Sequence, residues 1–149
     1  MAKRGGGQFR GFRKLDAGHI ASLTVRTYVC CGCGAQHADR MPPQCLSCGR
    51  MDFYKFDAKG EANRWADLLL RQRANLISNL QRQVRFPLMA HGPAGRPALV
   101  GHYVADFVYD RDGQRVVEDT KGGGITDLAS WKLRHFEAQH GFSVTLIKV

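Results

Sequence analysis

Two groups of residues in this sequence have types and spacings that can do chemistry. The first is a pair of thiol knuckles, Cys30-x2-Cys33 and Cys45-x2-Cys48, separated by eleven residues. A Cys-x2-Cys turn aims two sulfurs at one point, and two such turns complete the tetrahedron of thiolates that Zn²⁺ prefers. Gly32, Gly34 and Gly49 suit the tight backbone that such turns need. The spacing therefore predicts a zinc ribbon holding a structural Zn²⁺ on Cys30, Cys33, Cys45 and Cys48. Cys31 is expected to turn away, because adjacent residues do not both face inward easily. His37 lies between the knuckles and is the alternative ligand in a set of three cysteines and one histidine.

The second group is acidic. Asp106 interrupts the apolar run Val104-Ala105-Asp106-Phe107-Val108, and Glu118-Asp119-Thr120-Lys121 follows after a turn. In a strand, residues two apart share a face, so Asp119 and Lys121 should project together, with Glu118 and Thr120 opposite. Hairpin pairing would bring Asp106 beside them. Two carboxylates and the Thr120 backbone carbonyl can hold a hard cation, Mg²⁺ or Mn²⁺, through oxygen. Such a cation neutralises phosphate charge and acidifies a bound water, while the Lys121 ammonium positions that water and meets developing charge. A register slip of one residue would put Glu118 in the place of Asp119.

The elements that must position these groups can be read from periodicity. Glu61 to Leu80 has helical spacing through Ala62, Trp65, Ala66, Leu69, Ile77 and Leu80, with Asp57 as its expected cap. Residues 83–89 form a strand compromised by Pro87, and residues 90–98 a Gly/Pro loop. Leu99 to Tyr109 and Gln114 to Lys121 are strands joined at Asp110-Arg111-Asp112-Gly113. Thr126 to His140 is a second helix with Gly141 as its C-cap, and Phe142 to Val149 a last strand. Leu23 to Val29 alternates as a short strand ahead of the cysteines. The expected division is a basic flexible arm over 1–22, a zinc ribbon over 23–52 and an α/β core over 53–149.

Asp106 followed by Asp119-Thr120-Lys121, on the order α-β-β-β-α-β, resembles the motif and core of the PD-(D/E)XK (restriction-endonuclease-like) nuclease superfamily. Lys55 to Ala62, Ala105-Asp106-Phe107 and Glu118 to Gly122 are together similar to small phage-encoded endonucleases and Holliday-junction-resolvase-like proteins within it. The resemblance covers 53–149 and leaves the cysteine segment outside. It implies a catalytic set of Glu61, Asp106, Asp119 and Lys121, with Glu61 at the helix start completing the Mg²⁺ or Mn²⁺ site. It also implies a phage or prophage origin in a bacterial cytoplasm. The proline of the motif is replaced by Ala105.

Charge points the same way. The chain carries 22 Lys and Arg against 13 Asp and Glu, a net charge of +9, as expected for a polyanionic partner whose counterions are released on binding. Residues 1–29 hold Lys3, Arg4, Arg10, Arg13, Lys14 and Arg26 against Asp16 alone. Lys132, Arg134 and His135 could add contacts, and Gly122 to Gly124 could let the backbone approach phosphate. No apolar run reaches the roughly 18 residues of a membrane span, and Met1 to Gly7 leads into no secretory signal, so a cytoplasmic location is expected. The expectation is a metal-dependent DNA endonuclease acting on branched or recombination-intermediate DNA, working as a homodimer. The alternatives are a nicking or single-strand-specific nuclease, and a non-catalytic zinc-ribbon protein that binds DNA or RNA.

Overall fold

A computed structural model describes residues 26–149; the basic arm expected over 1–22 lies outside the described residues. The element order is β1 (Thr27–Cys30), β2 (Gln36–Ala38), β3 (Phe53–Phe56), α1 (Lys59–Arg73), β4 (Ser78–His91), β5 (Pro97–Arg111), β6 (Gln114–Lys121), α2 (Asp127–His140) and β7 (Thr145–Lys148). The strands form two sheets, β2-β1-β3 and β4-β5-β6-β7. In the larger sheet the first three strands are antiparallel, and β7 runs parallel to β6. From α1 onward the order is α-β-β-β-α-β. Among the described residues no helix is long and apolar enough to cross a membrane.

Each face of the larger sheet carries one helix and one core. Ala62, Trp65, Leu68 and Leu69 of α1 pack on Phe107 and Tyr109. Leu133 and Phe136 of α2 pack on Leu88, Tyr103, Ala105, Val108 and Val117. The first core also takes Val29 and Phe56 from the smaller sheet, in which β3 pairs with β1 from Thr27↔Phe56 to Cys30↔Phe53. Phe53–Phe56, assigned from sequence to the second unit, is therefore a strand of the cysteine-bearing sheet. That sheet is part of the α1 core, and Phe56 with Trp65 joins the two.

Several boundaries moved. The helix expected over Glu61 to Leu80 ends at Arg73, where Asn75 enters the left-handed region (φ 56°) and the Leu76 N–H donates to the Arg71 carbonyl. Ile77 is buried beyond that turn, so the apolar rhythm outlasted the helix. Asp57 does not cap α1; Ala58 holds the cap position, and Asp57 pairs with Lys55 at 3.3 Å. Pro87 does not stop β4, which borders only β5 and can turn its missing N–H away from the ladder. The Asp112-Gly113 turn takes positive φ at both positions, the form that suits a two-residue hairpin.

β5 carries one irregularity, beside Asp106. Strict alternation would send Tyr103, Ala105, Phe107 and Tyr109 to one face. Instead Tyr103, Ala105 and Val108 face α2 while Phe107 and Tyr109 face α1. The changeover falls at Asp106. Across from it, between the pairs Arg82↔Phe107 and Val84↔Ala105, Gln83 has a left-handed backbone (φ 53°). For a residue that is neither Gly nor Asn, this conformation costs on the order of 1 kcal/mol.

On the α1 side Glu118 is only 2% exposed. Arg64 donates to both its oxygens, at 2.9 and 2.6 Å, and the Tyr109 hydroxyl donates at 2.5 Å. Burial and the Glu118 charge push Tyr109 up to about 12, which keeps it a donor. Removing one partner of such a pair strands a buried charge. Arg64→Met should cost about 3 kcal/mol in chemical denaturation, and a loss below about 1 kcal/mol, the range of an exposed pair, would contradict this account.

Candidate functional site

The Sγ atoms of Cys30, Cys33, Cys45 and Cys48 all lie within 4.8 Å of one another. Cys30 and Cys48 are 3.5 Å apart, and Cys33 and Cys45 are 3.4 Å apart. A tetrahedral thiolate site with metal–sulfur bonds of about 2.3 Å sets its sulfurs roughly 3.8 Å apart, so this set could hold a metal ion such as zinc. Each knuckle is closed by a backbone bond, Gly34 N–H to the Cys30 carbonyl (3.0 Å) and Gly49 N–H to the Cys45 carbonyl (2.8 Å). Gly34 suits its place because its φ is +73°, a conformation strained for any side chain. Burial raises the Cys45 thiol, but the Ser47 N–H and the Cys33 thiol outweigh it and bring the group down to about 6. Cys31 stays outside the set, as expected. His37 also lies outside it, packed edge-on to Phe53 at 5.5 Å.

The acidic group gathers where the sheet changes face. Lys121 Nζ lies 2.5 Å from Asp119 Oδ2. Asp106 Oδ2 accepts from the Thr120 N–H (2.7 Å) and the Thr120 hydroxyl (2.6 Å). Glu61, in the first turn of α1, is drawn in by Gln83, whose Nε2 donates to Glu61 Oε1 (3.2 Å) and Asp106 Oδ1 (3.1 Å). Arg82 approaches Glu61 at 3.9 Å while its guanidinium lies over Tyr54 and Phe56, 5.0 and 4.5 Å from the ring centroids. Gln83 thus links Glu61 to Asp106, and Thr120 and Lys121 flank Asp106 and Asp119, so all four residues singled out from sequence lie in one neighbourhood. Among the described residues the four cysteines are the one set of three or more metal-ligating side chains whose ligand atoms all fall within 4.8 Å of one another. Glu118 lies apart from the acidic group: its Arg64 and Tyr109 partners hold it under α1, which removes it as the substitute for Asp119. Thr120 takes part through its N–H and hydroxyl.

Electrostatics mark the same place. Burial, and then the Asp106 carboxylate, push Asp119 up to about 6 against the pull of Lys121. Burial and Asp106 raise Glu61 as well. Tyr103 is 5% exposed, and its hydroxyl lies near Asp119 without a well-formed hydrogen bond. Burial, Asp119 and Asp106 hold that hydroxyl firmly protonated. A cavity of about 210 Å³ opens beside Asp119, lined by His102, Tyr103, Lys121 and Lys132. His135 is tied instead to the Met89 carbonyl at 2.7 Å. Two raised carboxylates, Glu61 and Asp119, with Asp106 and a hydroxyl beside them, offer oxygen donors of the kind a hard cation takes.

Sequence reading missed Gln83 and Tyr103. Neither is charged, and nothing in their spacing flags a break in a strand.

A family described as a protein of unknown function (DUF1064) matches residues 49–147. The match opens just after Cys48 and takes in Glu61, Gln83, Tyr103, Asp106, Asp119 and Lys121. No curated protein and no solved structure matches the chain.

The raised Asp119 has a consequence for stability. Its folded value near 6 lies above the ordinary aspartate value of about 3.9, so between those limits the folded chain binds the proton more tightly than the unfolded chain. Stability should fall as pH rises from about 4 to about 6. In magnesium-free buffer that fall should be smaller in Asp119→Asn than in the wild type, measured by denaturation at each pH; equal slopes would refute the assignment.

Proposed function

On the premise that the chain belongs to the DUF1064 family, whose function is unknown, we propose that it is a divalent-metal-dependent DNA endonuclease of the PD-(D/E)XK type. The observation that carries this reading is the convergence of Glu61, Asp106, Asp119 and Lys121 from α1, β5 and β6. The order α-β-β-β-α-β and the parallel β6–β7 pair support the same core. The net charge of +9 supports a phosphodiester substrate.

Asp106, Asp119 and Glu61, with the Thr120 carbonyl, would hold Mg²⁺ or Mn²⁺. When bound, such a cation shields phosphate charge and acidifies water. The protein supplies the rest. Thr120 fixes Asp106 by two donors and leaves its other oxygen to face the site. Asp119 positions the Lys121 ammonium, which can donate to a water and to the phosphate oxygen that gains charge. Apolar packing beneath the sheet keeps these groups in place, so little reorganisation is needed when substrate arrives. His102 and Lys132, along the adjoining cavity, would meet the neighbouring backbone phosphates.

At Cys30, Cys33, Cys45 and Cys48 the proposed metal is structural Zn²⁺. Elemental analysis of the purified chain should find one zinc per chain, lost on Cys45→Ser; zinc-free folded protein would refute it.

Branched DNA cut by a homodimer is the proposed substrate and assembly, since a small basic face reads shape and backbone more readily than base sequence. Two chains would supply the two cuts. Labelled four-way-junction, flap, duplex and single-stranded DNA with Mg²⁺ or Mn²⁺ test both levels. Asp119→Asn and Lys121→Ala should each lower cleavage at least ~10²-fold while DNA binding persists on the remaining basic surface. Wild-type cleavage in either variant would show the site to be misassigned, and binding without cleavage by the wild type would favour an adaptor.

A further inference from the structure

Gln83 is the residue at the acidic site that neither its charge nor the family resemblance accounts for. We propose that Gln83 is a further oxygen ligand of the cation, its carboxamide turning to present Oε1 at the point between Glu61 and Asp106 that its Nε2 now spans. This inference rests on the nuclease reading of the site.

Three features carry it. Nε2 lies at nearly equal distances from carboxylate oxygens of two different elements, 3.2 Å to Glu61 and 3.1 Å to Asp106. An N–H donor group so placed marks a point that two negative oxygens share, which is where a small cation is held. The nitrogen and oxygen of a carboxamide are close in size, and a half-turn about the last side-chain bond exchanges a double donor for an acceptor. Carboxamide oxygen is an ordinary ligand of hard cations. Gln83 is exposed, so the turn disturbs no core packing.

The backbone supports a positional role. Asn79 of β4 also has a φ of 53°, but asparagine enters that region at small cost and its side chain is spent on Asp110. Glutamine lacks that ease. Its left-handed backbone sits opposite Asp106, where the sheet changes face, and its side chain reaches Glu61 of α1.

A second observation is independent of these hydrogen bonds. Tyr103 is 5% exposed, it lines a cavity with Asp119, and its buried hydroxyl makes no well-formed hydrogen bond. A buried donor that falls short of a well-formed bond to Asp119 is placed to donate to a water carried by a cation on that carboxylate.

The test is calorimetric titration of the zinc-loaded full chain with Mn²⁺, with thermal unfolding run in parallel. Asp106→Asn should abolish the binding seen in the wild type, which identifies the site. Gln83→Gly suits the left-handed backbone, so it should unfold no earlier than the wild type yet bind Mn²⁺ ~10-fold more weakly, the low end of what a lost supporting group costs a metal site. Gln83→Glu should restore binding to at least the wild-type level, and Gln83→Lys, which places an ammonium between the carboxylates, should remove it. Binding by Gln83→Gly as tight as the wild type would overturn the inference and leave the nuclease reading intact. A wild type that binds no Mn²⁺, or binds it regardless of Asp106→Asn, would overturn both.

Discussion

Carboxylates gathered against an apolar sheet repel one another and lose hydration, so each must be met by a donor. That constraint organises the larger sheet. Asp119 is 7% exposed and answers to Lys121, Asp106 to Thr120 and Gln83, and Glu61 to Gln83 and Arg82. The donors do not cancel the strain: burial and the neighbouring Asp106 still raise Asp119 and Glu61. Positive charge bound there would relieve repulsion that folding has already imposed.

Glu118 and Asp119 show how one strand separates two uses of the same chemistry. They are adjacent, so they face opposite sides of β6. Glu118 meets a bidentate arginine and a tyrosine in the α1 core and is fully engaged there. Asp119 faces the α2 side, where a cavity adjoins it and a lysine is its direct partner. The first carboxylate is satisfied within the core, whereas burial still raises the second. The register of the β5–β6 hairpin, closed by Asp112-Gly113, decides which is which.

Much of this was legible in residue order because it depends on local rules. Gln114 to Lys121 reads as a strand with two-residue alternation, and the Cys-x2-Cys pairs read as knuckles by spacing alone. Gly141 caps α2 in the left-handed region as its position predicts, while Thr126, read as the first helical residue, is instead the N-cap through its side chain. What stayed hidden depends on tertiary context. The end of α1 at Arg73 was masked because Ile77 prolongs the apolar rhythm while packing from beyond the turn. Phe53–Phe56 reads as the start of a new unit until its pairing with β1 is seen. Gln83 is illegible for a deeper reason. Its importance lies in a backbone conformation disfavoured for its type, and no propensity argument would place it there.

The cysteine-bearing sheet then takes on a different meaning from that of an added finger. β3 supplies Tyr54 and Phe56, on which the Arg82 guanidinium rests, and Arg82 in turn faces Glu61. Phe56 and Val29 share the α1 core with Trp65, and the Arg73 guanidinium donates to the Gly32 carbonyl within the first knuckle. A metal holding the four thiols would therefore brace the surface against which α1 is set, and α1 carries Glu61. The match to the family begins after the last cysteine, so the acidic set and the thiol set are separable in sequence. In the folded chain one helix and one arginine stand between them: α1 packs on the cysteine-bearing sheet and carries Glu61, and Arg82 spans from the β3 rings to the same carboxylate.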